Sequence, residues 1–219
     1  MIDIDMLKKA ALVQDPFRYS IIEGILTENR VNSLLESMPE KNYYRSIREG
    51  GSDKTYNVVN NILLKLGERE YNKDSNLSVE WQALVQNLQG KDYIEALSSL
   101  LQENLSTCSQ EITLKRYTEG DFISAHTDKE NVRATHMLFL NKNWDKQWGG
   151  ELCFLHNETD VFKNILPVYT CSAAFVRADN SWHSVTKMEG KNIERIAIQI
   201  AFWNVTERQV LPGRVEENY

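Results

Sequence analysis

The chain has 219 residues, of which 42% are hydrophobic and 26% are charged, and its mean hydropathy is −0.47. These values are typical of one globular domain and exclude a disordered, collagen-like or membrane-embedded chain. The formal charge of −6 and the pI near 5.3 argue against nucleic acid as a partner, because nucleic-acid binders concentrate lysine and arginine.

The cysteines and the first residues bear on the cellular compartment. Cys108, Cys153 and Cys171 are odd in number, far apart and outside any Cys-x-x-Cys pattern, so neither a disulfide framework nor a zinc knuckle is predicted. The first ten residues carry acids where a signal peptide needs bases, and no apolar run is long enough to span a bilayer. We therefore expect a cytoplasmic protein without a membrane partner.

Three amphipathic helices are predicted in the first half of the chain. The first follows a cap at Thr27 and stops at Pro39. The second begins after Ser78 and ends before Gly90, and the third follows it. The predicted buried residues are Val31, Leu34, Leu35 and Met38, then Trp81, Leu84, Val85 and Leu88, then Ile94, Leu97, Leu100, Leu101 and Leu105.

Residues 45–56, between the first two helices, are polar, include Gly50 and Gly51, and show no periodicity. This pattern predicts a long mobile loop, and loops of this length are often functional. We expect the loop to act as a lid over a binding site, with Lys54 and Tyr56 among its contacts.

From Ile112 onward, apolar and polar residues alternate in short runs separated by turn signals such as Glu119-Gly120-Asp121. Short strands preceded by helices indicate an antiparallel sandwich or barrel with helices packed on one face. The predicted strands are 112–117, 122–123, 135–140, 151–155, 173–177, 184–186 and 195–203.

The most distinctive polar group is His126-Thr127-Asp128. Residues i and i+2 of a strand project to the same face, so the imidazole and the carboxylate can bind one cation. A second histidine, for which His183 is the candidate, completes a two-histidine, one-carboxylate triad that leaves open positions on non-haem iron(II). The other two histidines, His136 and His156, are interpreted as a structural residue and a solvated turn residue.

The His-x-Asp pair alone is a weak motif. A non-catalytic cupin-like metal-binding module and a zinc hydrolase on a similar barrel therefore stay open, although the His-x-His with a later Glu that is typical of cupins is absent. Further along, Arg195 begins an apolar strand that runs to Trp203. A buried charge at that position needs a partner, and a guanidinium is suited to bidentate recognition of a carboxylate.

Several segments of the second half follow one another in a characteristic order. They are Leu114-Lys115-Arg116-Tyr117, Gly120-Asp121-Phe122, His126-Thr127-Asp128, Leu140-Asn141 with Trp144, Gly149-Gly150-Glu151-Leu152, His183 and Arg195. With these segments the sequence resembles the iron(II)- and 2-oxoglutarate-dependent oxygenases, in particular the prolyl-4-hydroxylase-like branch. The resemblance covers about residues 110–206, and Asp15-Pro16-Phe17 with the strand and helix after it is similar to the family's entry segment.

The resemblance implies a mostly β fold with N-terminal helices, in which a double-stranded β-helix, or jelly-roll barrel, holds iron at its mouth. The metal ligands are then His126, Asp128 and His183. The implied domain organisation is one oxygenase domain over residues 1–219. Within it, residues 1–110 are mainly helical support with the lid loop, residues 111–206 the catalytic core, and residues 207–219 a C-terminal tail.

The resemblance also implies the cofactors Fe2+, 2-oxoglutarate and O2, with ascorbate as a stimulant. Arg195 then pairs with the distal carboxylate of 2-oxoglutarate, Tyr117 donates a hydrogen bond to it, and Thr135 lines the same pocket. Phe139 stands where some relatives carry a cosubstrate-binding tyrosine. An intact Asp128 favours hydroxylation or desaturation over halogenation, because related halogenases carry Gly or Ala at that position.

For the substrate we expect a small amino acid or an amino-acid-derived metabolite, because the chain has one barrel, no additional peptide-binding domain and a loop of the size of a lid. The alternative is a prolyl or other residue of a peptide or protein. The candidate substrate contacts are Arg133, Arg177, Trp182, Lys54 and Tyr56. The sequence leaves the oligomeric state open.

Overall fold

The computed structural model describes residues 2–49, 54–204 and 215–218. The helices in these residues are α1 (Ile4–Lys9), α2 (Glu28–Glu36), α3 (Val79–Gln89) and α4 (Lys91–Leu101). The strands are β1 (Tyr19–Glu23), β2 (Tyr44–Arg48), β3 (Tyr56–Leu64), β4 (Ser109–Tyr117), β5 (Phe122–His126), β6 (Val132–Phe139), β7 (Leu152–Leu155), β8 (Val161–Ile165), β9 (Cys171–Val176), β10 (Trp182–Val185), β11 (Arg195–Trp203) and β12 (Val215–Asn218).

These strands form one antiparallel sheet in the order β1-β9-β6-β11-β4-β3-β5-β10-β7-β8, with β2 paired to β3 and β12 paired to β2. Tyr19 of β1 and Phe162 of β8 stand near opposite ends of this order, yet their ring centroids are only 5.9 Å apart. The sheet therefore curls back on itself. This mostly β architecture is consistent with a jelly roll, as the sequence predicted.

The alternation of side chains along the strands creates two apolar cores. On β11, Ile198 and Ile200 face outward and pack with the helices, where Trp81 and Tyr93 are completely buried. Ala197, which precedes Ile198 in sequence, faces the interior of the curled sheet. Because successive residues of a strand point to opposite faces, the odd-numbered positions of β11, including Arg195, share the interior face.

The predicted helices are confirmed together with their caps. The hydroxyl of Thr27 accepts a hydrogen bond from the backbone N–H of Arg30, and the hydroxyl of Ser78 accepts one from that of Trp81. Gly90 lies between α3 and α4. The sequence did not predict α1, because six residues are too few for a helical period to be visible.

The prediction that residues 1–110 are mainly helical was wrong in part, because β1, β2 and β3 lie in this region and pair within the same sheet. The predicted loop over residues 45–56 was also too long. Residues up to Arg48 belong to β2, β3 begins at Tyr56, and residues 50–53 lie outside the described chain.

The strands β2 and β3 were not predicted, because several of their buried residues are polar and interrupt the apolar alternation. Ser46 on β2 and Asn60 on β3 are buried and joined by a hydrogen bond from the Asn60 amide to the Ser46 hydroxyl. Asn61 is also buried, and its amide donates to the backbone oxygen of Lys41. An alternation search that counts apolar residues misses such positions.

None of the helices in residues 2–49 and 54–204 is long and apolar enough to cross a membrane. Part of the predicted C-terminal tail forms a strand, since Val215–Asn218 pairs with β2.

Candidate metal and cosubstrate site

Two histidines face each other across neighbouring strands. His126 ends β5 and His183 lies on β10, and the two are direct partners in the antiparallel register. Directly paired residues share one face of a sheet, and the two ring centroids are 4.1 Å apart. Both side chains are buried.

Backbone carbonyls fix the tautomer of both rings. The Nδ1 atom of His126 is 2.9 Å from the carbonyl oxygen of Ser124, and that of His183 is 3.0 Å from the carbonyl oxygen of Ser181. A carbonyl oxygen only accepts, so Nδ1 carries the proton in each ring and Nε2 presents a lone pair. A hydrogen bond of this kind typically orients a metal-binding histidine.

Asp128 follows β5 and completes the cluster. Its Oδ1 atom is 3.9 Å from Nε2 of His126 and 3.8 Å from Nε2 of His183. One ligand atom from each of the three residues lies within 4.8 Å of the others. Two imidazole nitrogens and one carboxylate oxygen are the donor set of the facial triad that binds non-haem iron(II).

The surroundings keep both imidazoles neutral. Burial lowers the pKa of His126 well below its ordinary value, and the charge of Lys54 lowers it further. Burial also lowers the pKa of His183, against which the Asp128 carboxylate acts to raise it. A neutral imidazole is the form that binds a metal ion.

Arg195, at the start of β11, is a buried cation in the interior of the sheet. Its Nε donates to the backbone oxygen of Gly150 at 2.7 Å, whereas Nη1 and Nη2 are buried without a hydrogen-bond partner in the described residues. The rings of Tyr117 and Phe139 lie 4.7 and 5.4 Å from its guanidinium carbon. A buried charge with free donors is costly, so this group fits an anionic ligand with a carboxylate.

Asn141 and Gly150, which both belong to the motif segments of the sequence, help to position Arg195. The Asn141 side chain accepts from the backbone N–H of Ile196 and donates to the backbone oxygen of Glu194, so it holds the chain on both sides of Arg195. Gly150 has a φ of +71°, and a Cβ there would lie 3.2 Å from Cδ of Arg195 and 2.5 Å from Sδ of Met188. A side chain at this position would therefore force the Met188 sulfur to move and would crowd the Arg195 side chain.

Tyr117 on β4 is the direct register partner of Arg195 and is completely buried. Burial raises the pKa of Tyr117 to about 12, although the Arg195 charge opposes this shift. The phenol therefore keeps its proton at neutral pH and can donate a hydrogen bond.

Residues 112–203 match the model of the 2OG-Fe(II) oxygenase superfamily. This segment is a 2OG-Fe(II) oxygenase domain. The superfamily implies Fe2+, 2-oxoglutarate and O2 as its cofactors, and the matched segment contains all three residues of the cluster and Arg195. No curated protein matches the sequence.

Solved structures resemble the oxygenase fold at low sequence identity. An oxidoreductase of the 2OG-Fe(II) oxygenase family from Burkholderia pseudomallei has a TM-score of 0.60 at 12% identity, covering 86% of each chain. A prolyl-4-hydroxylase from Pseudomonas putida has a TM-score of 0.55 at 17% identity, covering 92% of this chain and 97% of that one. A Trichoplax adhaerens prolyl hydroxylase, in complex with a hypoxia inducible factor oxygen degradation domain peptide fragment, has a TM-score of 0.53 at 18% identity, covering 92% and 89%.

The predicted superfamily is thus confirmed for residues 112–203, and the solved structures with a similar fold include prolyl hydroxylases, the branch that the sequence resembles. Within the oxygenase domain, Thr135 contacts Asp128: its hydroxyl donates to Oδ2 of that carboxylate at 2.8 Å. The sequence offered no signal for this contact.

The candidate substrate residues of the oxygenase have different surroundings. Arg133 is paired with Glu103. Arg177 donates to the backbone oxygen of Asp128 at 3.3 Å and pairs with Asp179. Trp182 precedes His183 on β10, so alternation places it on the opposite face of the strand.

The two candidates from the predicted lid lie near the cluster. The charge of Lys54 acts on both histidines, and Tyr56 begins β3, where it is paired with Ile123 of β5 and packs against the interior core. Sequence reasoning overlooked Gln199, a polar residue on the interior face of β11 beside Thr113 and Met137 in the register. Gln199 could have been recognised in the sequence, because it is a polar residue within the otherwise apolar run of β11.

Proposed function

We propose that His126, Asp128 and His183 hold Fe2+ in this oxygenase and that Arg195 and Tyr117 bind the distal carboxylate of 2-oxoglutarate, for hydroxylation of a C–H bond in a residue of a peptide. The observation that carries the proposal is the pairing of two unsatisfied groups in one interior. These are the ligand cluster, whose imidazole Nε2 atoms carry lone pairs, and the buried Arg195 guanidinium with two free nitrogens.

The residues fit the iron and the cosubstrate. The cluster supplies two neutral donors and one anionic donor, which leaves coordination positions for other ligands. The Arg195 fork supplies two parallel donors of the kind that match a carboxylate, and the protonated Tyr117 can supply another. A zinc hydrolase or a bare metal-binding module has no use for this second, anion-binding group.

Each group has a distinct task in the proposed reaction. Iron(II) with 2-oxoglutarate and O2 supplies the oxidising power for hydroxylation of an unactivated carbon. Asp128 supplies the anionic ligand, and the carbonyls of Ser124 and Ser181 hold the histidine rings in place. The apolar interior around Phe139 and Tyr117 excludes water from the Arg195 donors, which strengthens their attraction for a carboxylate.

A peptide substrate is supported by the prolyl hydroxylases among the similar structures, one of which carries a peptide fragment. A small metabolite was expected in part because residues 45–56 were predicted to form one long lid loop, and this loop is shorter than predicted, since β2 extends to Arg48 and β3 begins at Tyr56. We therefore place the peptide first and keep the small amino acid as the alternative.

Two measurements test the proposal. The metal-free protein, mixed with Fe2+ and 2-oxoglutarate without oxygen, should show a visible metal-to-ligand charge-transfer band, and the absence of this band would reject the assigned site. Succinate release in air is then compared between a panel of proline-containing peptides and the free amino acids. Stimulation by peptides alone supports the peptide substrate, whereas stimulation by free amino acids alone overturns it.

A further inference from the structure

The two carboxylate oxygens of Asp128 have different surroundings. Oδ1 faces the Nε2 atoms of His126 and His183 at 3.9 and 3.8 Å. Oδ2 accepts a hydrogen bond from the hydroxyl of Thr135 at 2.8 Å. One oxygen is thus directed toward the ligand cluster, and the other is already bound by the protein.

Thr135 is held rigidly, whereas Asp128 lies outside regular structure. Thr135 is in the middle of β6, pairs with Ala201 of β11 and Phe175 of β9, and is 2% exposed. Its β-branched side chain has few rotamers available in a strand. Asp128 follows the end of β5, and the Arg177 guanidinium donates to its backbone oxygen. The carboxylate therefore depends on contacts from other strands for its orientation.

We infer that Thr135 is a positioning residue for the metal ligand, which reserves Oδ2 of Asp128 and presents Oδ1 alone to the iron. This role differs from the contact with 2-oxoglutarate that the family resemblance implies for Thr135. The inference rests on the proposed function, because it requires the cluster to bind a metal ion.

The physical reason lies in the cost of orienting a carboxylate. Without the hydroxyl, Asp128 can rotate about its side-chain bonds, and a buried oxygen loses its donor. Partners in the outer shell of a metal site typically change metal affinity by about 10- to 100-fold. The loss of the Thr135 hydroxyl should therefore appear in metal binding before it appears in cosubstrate binding.

The experiment compares Thr135→Val, which keeps the shape and removes the hydroxyl, with Thr135→Ser, which keeps the hydroxyl. The matched control is Thr113→Val, because Thr113 is also a buried threonine on the interior face, placed on β4 beside Gln199. Mn2+ affinity is measured without oxygen from the free-ion electron paramagnetic resonance signal. The affinity for 2-oxoglutarate is then measured at saturating Mn2+, and thermal melting checks folding.

We expect Thr135→Val to weaken Mn2+ binding by about tenfold or more, with Thr135→Ser and Thr113→Val close to wild type and with 2-oxoglutarate affinity at saturating metal unchanged. Unchanged Mn2+ affinity with weaker 2-oxoglutarate binding in Thr135→Val would overturn the inference in favour of a cosubstrate contact. Equal losses in Thr135→Val and Thr113→Val would overturn it as well, because they indicate general damage to the interior. If the wild-type protein binds no Mn2+, the proposed function itself fails, and this outcome is distinct from the other two.

Discussion

Two buried histidine environments lie on opposite faces of one curled sheet and differ in how the ring nitrogens are used. In the interior, His126 and His183 each use Nδ1 toward a backbone carbonyl and leave Nε2 without a hydrogen-bond partner among the described residues. On the helix side, His136 uses both nitrogens: Nδ1 is 2.8 Å from the hydroxyl of Tyr93, and Nε2 is 3.0 Å from that of Ser172.

The donors and acceptors in the hydrogen bonds of His136 on the helix side follow from the hydrogen bond that Ser172 makes. Ser172 donates its hydroxyl hydrogen to the backbone oxygen of Ile22, so it accepts from Nε2–H of His136. The Nδ1 atom of His136 then accepts from the hydroxyl of Tyr93. Both ring nitrogens of His136 and the hydroxyls of Tyr93 and Ser172 therefore take part in hydrogen bonds. A histidine with both nitrogens engaged connects α4 to the sheet and has no lone pair left for a metal ion.

The comparison shows that burial alone does not distinguish a candidate metal ligand from a structural histidine, since burial lowers the histidine pKa in both environments. The difference lies in the nitrogen that the protein leaves free. Thr135 and His136 are neighbours on β6, and alternation sends one to the Asp128 carboxylate and the other to Tyr93. If this difference matters, loss of a side chain with free nitrogens should reduce activity, whereas loss of His136, whose nitrogens both form hydrogen bonds, should reduce stability.

Removal of a free nitrogen should give the largest effect. We expect His183→Ala to lower iron-dependent turnover by more than about 100-fold, because even partners that only orient a ligand contribute up to that much. The measurement is succinate release at saturating Fe2+. The control is His156→Ala, which changes an exposed histidine and should retain activity. Wild-type turnover of His183→Ala in this assay would contradict its role as a ligand.

The free guanidinium nitrogens should give the next largest effect. Arg195→Lys keeps the charge but loses the planar fork, so we expect the KM for 2-oxoglutarate to rise about tenfold, with the substrate KM less affected. Arg116→Lys is the matched control, because Arg116 lies on β4 opposite Ile196 of β11 and is already paired with Glu194 at 2.8 Å. A fall in stability with an unchanged KM would make Arg195 a structural residue.

The helix-side histidine should affect stability instead of binding. We expect His136→Leu to lower the free energy of unfolding by about 3 kcal/mol, because it leaves the buried hydroxyls of Tyr93 and Ser172 without their partner. Urea unfolding of the metal-free protein measures this loss. Mn2+ affinity of the folded variant should equal that of wild type, and a parallel loss of metal affinity would break the distinction between the two environments.

Acid should reveal the same residue by a different route. Burial lowers the pKa of His136 to about 3, whereas an unfolded chain has an ordinary histidine pKa of about 6.5. Between these values only the unfolded chain binds the proton, so the stability that His136 contributes is complete above pH 6.5 and is lost as the pH falls toward 3.

The expected slope from this residue approaches about 1.4 kcal/mol per pH unit within the window. Urea unfolding at pH 7, 6 and 5 compares wild type with His136→Leu, both without metal. His126 and His183 contribute equally to the two proteins, so the difference between the curves isolates His136. Parallel curves would show that the proton on His136 has no part in stability.

The grouping of His126, Asp128 and His183 could be predicted from the sequence because the pattern that indicates it is local. The His126-x-Asp128 spacing at a strand end and the turn before His183 need only the alternation of a strand and the order of the family segments. The helix caps at Thr27 and Ser78 are local in the same sense, since a hydroxyl bonds a backbone N–H three residues later.

The rest depends on contacts that the sequence does not pair. Thr135 reaches Asp128 because the curled sheet brings the middle of β6 close to the residues that follow β5, although the two strands do not pair. The strands β2 and β3 were missed because Ser46 and Asn60 satisfy each other in the interior. Arg195 was expected to need an anionic partner, but its free nitrogens become visible only once every neighbour is placed.

The smallest effect should come from a residue that acts on Arg195 through the backbone. Asn141 holds the chain at Glu194 and Ile196, but β11 also pairs with β4 and β6 along its length, so the position of Arg195 has other support. We therefore expect Asn141→Ala to raise the KM for 2-oxoglutarate by about threefold, in line with the loss of roughly one net hydrogen bond, with little change in metal affinity. Asn164→Ala on the edge strand β8 is the control, since its exposed amide donates to the Glu151 carboxylate, away from Arg195. A KM as high as that of Arg195→Lys would mean that Asn141 alone sets the orientation of the arginine, and an unchanged KM would mean that the two strand pairings suffice.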